Sequence, residues 1–313
     1  MKVLVLNKNN IVSDSNNSKF RFKFNTTVNF KKGAKIAISK INMYFSWENI
    51  TDSFNNRTFS YNWFDSSGNL TKSYPLTIPS GYYSIDDINN WMYVELCNRG
   101  HYLTYSVKAN ALGTSNGNEW TSSTKYVFIE MMENSTYYSC QFRLYSLPNF
   151  TTALFTKPAN VTGYEWKVPT QYVSGLETLR LAPKIIIPST NNFKDVVGFN
   201  SGTYGSGAIN INNQYEDVLS TYAPTLDPVG SVLVLCSLSN NLYSSPTNLM
   251  DSFTYSVDYG QMIAIENNNL NWIDIAQGSY SEFFIEFKDQ SFRNIVIKDP
   301  NTVITMVIQE PEE

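Results

Sequence analysis

The chain holds a single histidine, His101, in 313 residues. An imidazole general base, a histidine-bearing zinc site or a Ser-His-Asp triad would each have to use it. It follows Asn98-Arg99-Gly100, a helix-end signal, so its expected setting is a helix-dipole contact or solvent. Two acidic pairs occur, Asp86-Asp87 and Glu216-Asp217. Sequence neighbours do not face each other across a scissile bond as a glycosidase requires, and Asp86-Asp87 suits a helix N-terminus. Cys97, Cys140 and Cys236 are odd in number and widely spaced, which fits buried thiols better than a disulfide framework or a CxxC metal site. No P-loop, dinucleotide fingerprint or HExxH occurs, and Gly202 to Gly207 has no strand-to-helix phosphate context. Asn and Asp oxygens abound, yet no spacing singles out a Ca²⁺ loop. No catalytic, cofactor-binding or metal-binding residue is assigned, and the chain reads as a non-enzyme.

The element with the clearest punctuation is Ile78-Pro79-Ser80-Gly81-Tyr82-Tyr83-Ser84-Ile85-Asp86-Asp87-Ile88-Asn89-Asn90-Trp91. Pro79 and Gly81 fit a type I turn. Ser84 and Asp87 have the spacing of a capping box. Ile85, Ile88, Trp91, Met92 and Leu96 then recur at helical spacing, and Gly100 suits a left-handed C-terminal cap. The spacing predicts one amphipathic helix at about 84–98.

Elsewhere the pattern is of strands. Charged residues are only 16% and aromatics 15%, a balance suited to pleated sheets joined by polar loops. Phe20-Arg21-Phe22-Lys23-Phe24 alternates as a half-buried strand does, and Ile36 to Phe45 alternates with a phase slip at Ser39-Lys40 that a β-bulge explains. Thr58 to Trp63 and Leu70 to Ile78 read as a hairpin. Leu103 to Val107, Lys125 to Met131, Tyr137 to Leu144, Lys184 to Ile187, Ser231 to Ser237, Gln261 to Ile265, Ser281 to Phe287, Asn294 to Ile297 and Thr302 to Ile308 add further strands. Phe193 to Phe199 reads as one helical turn before a glycine-rich loop. The expected fold is all-β, a single jelly-roll sandwich with one short helix. It spans 1–313 as one domain, with a loop-rich insertion at 103–182 and a frayed tail at 309–313.

The net charge is −4, but residues 1–47 hold nine basic side chains and one acid, Asp14, so that segment is +8 and the remainder −12. Lys19, Arg21, Lys23, Lys31 and Lys32 form a candidate basic segment facing a polyanion or an acidic partner. The competing reading is the wet face of edge strands, where lysine blocks stray pairing. No apolar run is long enough to span a bilayer, and the N-terminus lacks a secretory pattern, so a cytosolic chain starting at Met1 is expected. Eight glycosylation sequons among 37 asparagines match chance and carry no information.

Several motifs recur in one order: Trp47-Glu48-Asn49-Ile50-Thr51, Asn55 to Tyr61, Ile78 to Asn89, Phe193 to Phe199 with Gly202 and Tyr204, Val232 to Leu238 with Asn240-Asn241-Leu242-Tyr243, and Ile285 to Gln290 with Asp299 to Thr302. That series resembles the penton (vertex) capsid proteins of virophages and polinton-like viruses, Sputnik-type virophages above all, over roughly 34–308. The resemblance implies a structural virion protein whose single jelly roll stands upright and forms homopentamers at icosahedral five-fold vertices. Its implied partners are itself, a double jelly-roll major capsid protein, and minor capsid or fibre proteins. The basic segment would face the shell interior, in weak contact with packaged DNA, or an acidic partner. Assembly would take place in the host cytoplasm or virus factory. The alternative is a carbohydrate-binding jelly-roll module or a vertex fibre or attachment protein, which would present an exposed row of aromatic side chains.

Overall fold

Alternation of large apolar and polar residues builds most of the sandwich strands. In β2 (Lys19–Phe30), Phe20 and Phe30 are buried while Arg21, Lys23 and Asn25 are exposed, the pattern of a strand with one face on a core. A computed structural model describes residues 1–105, 125–147, 155–169, 179–210 and 212–311. The chain divides into two units, Met1–Glu48 with Pro228–Glu313, and Asn49–Asp227.

The first unit contains β1 (Lys2–Leu6), β2 and β3 (Lys35–Tyr44). After the second unit it resumes with β16 (Val232–Cys236), β17 (Leu249–Phe253), β18 (Met262–Glu266), β19 (Ile273–Asp274), β20 (Gly278–Asp289) and β21 (Val303–Gln309). One sheet has the order β1-β21-β3-β18, with β19 also on β3, and the other β17-β16-β20-β2. Every pairing is antiparallel. This interleaved order of a five-stranded and a four-stranded sheet is a jelly roll. Ser39 is skipped where Thr305 pairs Lys40 and Met306 pairs Ile38, which is the expected bulge.

Backbone bonds tie the connections into two ends. At one end, Ile297 N donates to Asn16 O, Lys298 N to Ser46 O and Phe45 N to Gln261 O. The chain leaves and re-enters the sandwich at this end. At the other, Ile275 N donates to Ala34 O and Asn240 N to Asp274 O.

The second unit holds β4 (Thr58–Trp63), β5 (Lys72–Thr77), α1 (Ile85–Asn98), β6 (Leu103–Tyr105), β7 (Lys125–Tyr126), β8 (Ile129–Asn134) and β9 (Ser139–Tyr145). Then come β10 (Phe155–Thr156), β11 (Leu179–Leu181), β12 (Lys184–Ile187), α2 (Phe193–Val197), β13 (Gly202–Tyr204), β14 (Ala208–Asn210) and β15 (Tyr215–Leu219). Its larger sheets run β13-β12-β4-β5 and β15-β9-β8, with small sheets β10-β6-β7 and β11-β14. Ile85, Ile88, Met92 and Leu96 of α1 enter one apolar core with Phe59, Trp63, Phe142 and Phe193. Each such side chain contributes about 1.5–3 kcal/mol by leaving water.

Local chemistry sets the limits of α1. Ser84 Oγ accepts from Asp87 N at 3.1 Å and Asp87 Oδ2 accepts from Ser84 N at 2.9 Å, a reciprocal capping box. At the other end His101 N donates to Leu96 O and Gly100 N to Cys97 O, with Gly100 at φ 71, a Schellman motif. The turn expected at Pro79 is a bend. Gly81 N donates to Ile50 O rather than closing on Ile78, whose carbonyl accepts from Arg57 Nε. Gly81 thus forms a β-bridge with Ile50. A Cβ there would meet the Tyr83 ring at 2.7 Å, so any larger residue would have to displace that ring.

The expected insertion at 103–182 is narrower than the second unit, Asn49–Asp227. The stretch 103–182 lies inside the second unit, and 106–124, 148–154 and 170–178 fall outside the described residues. The expected strand over Asn294–Ile297 makes only one bridge, Lys288 to Asn294, while Ile295 and Ile297 are buried. The expected glycine-rich loop contains the short strand β13, which extends the β12-β4-β5 sheet.

Candidate functional site

The five basic residues separate into two groups. Lys19, Arg21 and Lys23 alternate along β2 on the outer face of its sheet, opposite Glu286, Phe284 and Glu282 of β20. Lys19 Nζ lies 2.7 Å from Glu286 Oε1 and 4.7 Å from the centre of the Phe284 ring. Lys288 reaches the other Glu286 oxygen at 3.5 Å. Partial burial pushes the Glu286 carboxyl up, yet the two lysines hold it below its ordinary value. Arg21 and Lys23 are exposed and have no carboxylate within ion-pair distance among the described residues. Lys31 and Lys32 are exposed beyond the far end of β2, roughly 15–20 Å along the sheet from Lys23, since β2 slips in register against β20 between Lys23 and Val28. The structure therefore brings the first three residues together and leaves the last two at the opposite end of the sandwich.

His101 is not at the surface. It is 1% exposed, because the Schellman turn carries residue 101 back towards the buried face of α1. There its ring stacks on Trp63 at 5.3 Å and meets the ring of Tyr74 edge-on at 4.6 Å. Its Nδ1 shares a 2.6 Å hydrogen bond with the Tyr61 hydroxyl. Burial above all lowers the imidazole pKa to about 3, opposed by a hydrogen bond with the Tyr164 backbone and helped to a smaller extent by the nearby Arg99 charge. Burial likewise raises the Tyr61 phenol. A neutral imidazole between aromatic rings and a protonated phenol has no route to act as a general base near neutral pH.

The acidic pairs are local structure. Asp87 caps α1, and its hydrogen bonds from Ser84 hold its carboxyl below the ordinary value. Glu216 and Asp217 alternate on β15 and so point to opposite faces. Glu216 accepts from Ser206 N and Oγ, while Asp217 takes Nε and Nη2 of Arg143 at 2.7 and 2.9 Å. Cys140 and Cys236 are buried, which pushes both thiols up to about 12. Among the described residues, no three His, Cys, Asp or Glu side chains cluster as a metal site would require.

A cleft of about 370 Å³ lies beside α1, lined by Asn89, Tyr93, Lys125, Tyr126, Glu130 and Tyr145. Tyr145 donates to Glu130 Oε2 at 2.7 Å, and Asn89 Oδ1 is taken by Met131 N. It offers hydrogen-bonding groups without an activated nucleophile. Sequence reasoning gave no sign of it, since its walls come from a helix and two sheets far apart in the chain.

No protein-family model matches the chain, and no curated protein is similar to it in sequence. Among solved structures, the chain is similar to the crystal structure of selenomethionine-labelled mavirus penton protein, at a TM-score of 0.43 and 11% identity, over 99% of this chain and 98% of that one.

Proposed function

We propose that this protein is a structural capsid protein that assembles as a homopentamer at the five-fold vertices of an icosahedral virion. The observation that carries the reading is the complete jelly roll, with strand order β1-β21-β3-β18 against β17-β16-β20-β2. This architecture serves viral capsids, lectins and cupins. A cupin site uses histidine, and the single histidine here is sealed among Trp63, Tyr61 and Tyr74. A sugar-stacking platform uses exposed aromatics; Trp47, Trp63 and Trp166 are buried, while Tyr137, Tyr138, Tyr222 and Tyr243 are exposed, so glycan binding is an outcome that the test of assembly must separate. The ordered motif series adds support for a vertex protein, and a Sputnik-type placement rests on that series alone.

The neighbours in the shell would be a double jelly-roll major capsid protein, with minor capsid or fibre proteins as further contacts. The chain would act in the virion, assembled in the host cytoplasm or virus factory. If the strands stand upright, one end of the sandwich faces inward and the other outward. Of the two basic groups, Lys19-Arg21-Lys23 and Lys31-Lys32, only one would then face the packaged DNA or an acidic inner partner. Electron microscopy of the purified protein tests the assignment. Rings of five are expected, and a monomer that binds glycans would overturn it in favour of the carbohydrate-binding reading.

A further inference from the structure

The β16–β17 connection ends in two side chains held fully in water: Leu242 is 75% exposed and Tyr243 101%. The loop that carries them is braced. Asn241 N donates to Thr247 O at 2.7 Å, Tyr243 N to Asn241 Oδ1 at 3.1 Å, and Ser244 N to Asn241 O at 3.2 Å. At its base Ser239 Oγ donates to Cys236 O and is within 3.0 Å of Asn248 O, and Asn240 N donates to Asp274 O. A rigid loop that presents an aromatic and an aliphatic side chain to solvent resembles an interface anchor, because little ordering entropy remains to be lost on docking.

The same unit carries a matching apolar surface. Just before and along edge strand β1, Met1, Val3 and Val5 are 85%, 61% and 50% exposed. Val3 pairs with Val307 and Val5 with Thr305, so these residues share the outer face of their sheet. Further along that face Val303 and Met262 are also exposed, whereas Val307 and Ala37 between them are buried. Of the charged side chains on it, Lys40 and Glu266 pair with each other, while Lys35 is exposed beside the start of β1, so the contact must leave that ammonium at its wet rim.

The two features occupy matching positions on the sandwich. The β16–β17 loop and the start of β1 are both at the end marked by the Asn240–Asp274 and Ala34–Ile275 bonds, since Lys2 pairs with Ile308 and Ile308 with Ile36. They are on opposite sides, because β17 and β18 close one side of the two sheets and β1 and β2 the other. Rotation about an axis parallel to the strands preserves height, so equal heights on opposite flanks are what a closed head-to-tail ring requires. We propose that Leu242 and Tyr243 of one copy seat on the Met1-Val3-Val5 flank of the next copy, forming the subunit contact of the ring. This rests on the upright-pentamer reading above and names its interface.

The test uses the full chain and sizes it by mass photometry across a dilution series. The unsubstituted protein should form a ring, and Leu242→Ser with Tyr243→Ser should weaken its association roughly 30-fold or more, as loss of an aromatic anchor does. Val5→Asp should act similarly, with an unchanged far-ultraviolet dichroism spectrum showing that the fold is retained. In a Cys97→Ser background, Val5→Cys mixed with Tyr243→Cys should form a disulfide between copies, and neither should crosslink to itself. A ring that survives both sets of substitutions, or a Tyr243→Cys self-crosslink, overturns this interface while leaving the pentamer reading intact. An unsubstituted chain that stays monomeric at every concentration overturns both.

Discussion

Acidification should destabilise the second unit well above the carboxylate range, and His101 is the reason. Its folded-state pKa is about 3 against an ordinary 6.5. The unfolded chain therefore binds a proton that the folded chain refuses between these values, so stability rises with pH across that window. At pH 5 the penalty is about 2 kcal/mol relative to neutral pH, from RT times the logarithm of the unfolded-state protonation ratio. For a unit of this size that corresponds to a fall in Tm of about 4–8 °C. The carboxylates held low, Asp65, Asp87, Glu165, Asp217, Glu266 and Glu286, act mainly below about pH 4.5, near the ordinary value of a free carboxyl. The assay compares melting at pH 7.5 and 5 for the unsubstituted chain and His101→Gln, reading the difference in pH slope. Because the chain has one histidine, its ring-proton resonance can be followed directly. An imidazole that titrates near 6.5, or equal pH slopes in the two proteins, would refute the argument.

Ser84→Ala removes the cap of α1 and should cost about 1 kcal/mol in urea unfolding. It should also raise the Asp87 pKa towards the ordinary value, which carbon-detected NMR can follow. Gly198 sits at φ 72 with the Tyr222 carbonyl 2.2 Å from where a Cβ would be. Gly198→Ala should therefore destabilise by at least about 2 kcal/mol, read as a lower melting temperature, and Gly198→Asn should not rescue it, since the clash is steric.

Features set by local chemistry were readable from sequence. Ser84, Asp87 and Gly100 define α1 through backbone hydrogen bonds within a few residues, and the Ser39 bulge follows from a break in alternation. Strand β1 was missed because Val3 and Val5 face outward on an edge, so Met1 to Leu6 reads as an apolar run without a period. The short strands β15 and β17 carry too little alternation to stand out. The setting of His101 depends on β4, β5 and the 164–166 segment folding around it, which no window near residue 101 reveals. Nor did composition mark the second unit, since its strands have the same character as those of the sandwich. The basic segment was legible as charge, but its split into two groups depends on the length of β2 and on Glu286.

The most direct test of the central claim is the number of copies in the purified assembly, measured by native mass spectrometry of the unsubstituted chain. Five copies in a closed ring are predicted. A monomer, or a two-fold dimer joined through identical patches, would contradict the vertex assignment.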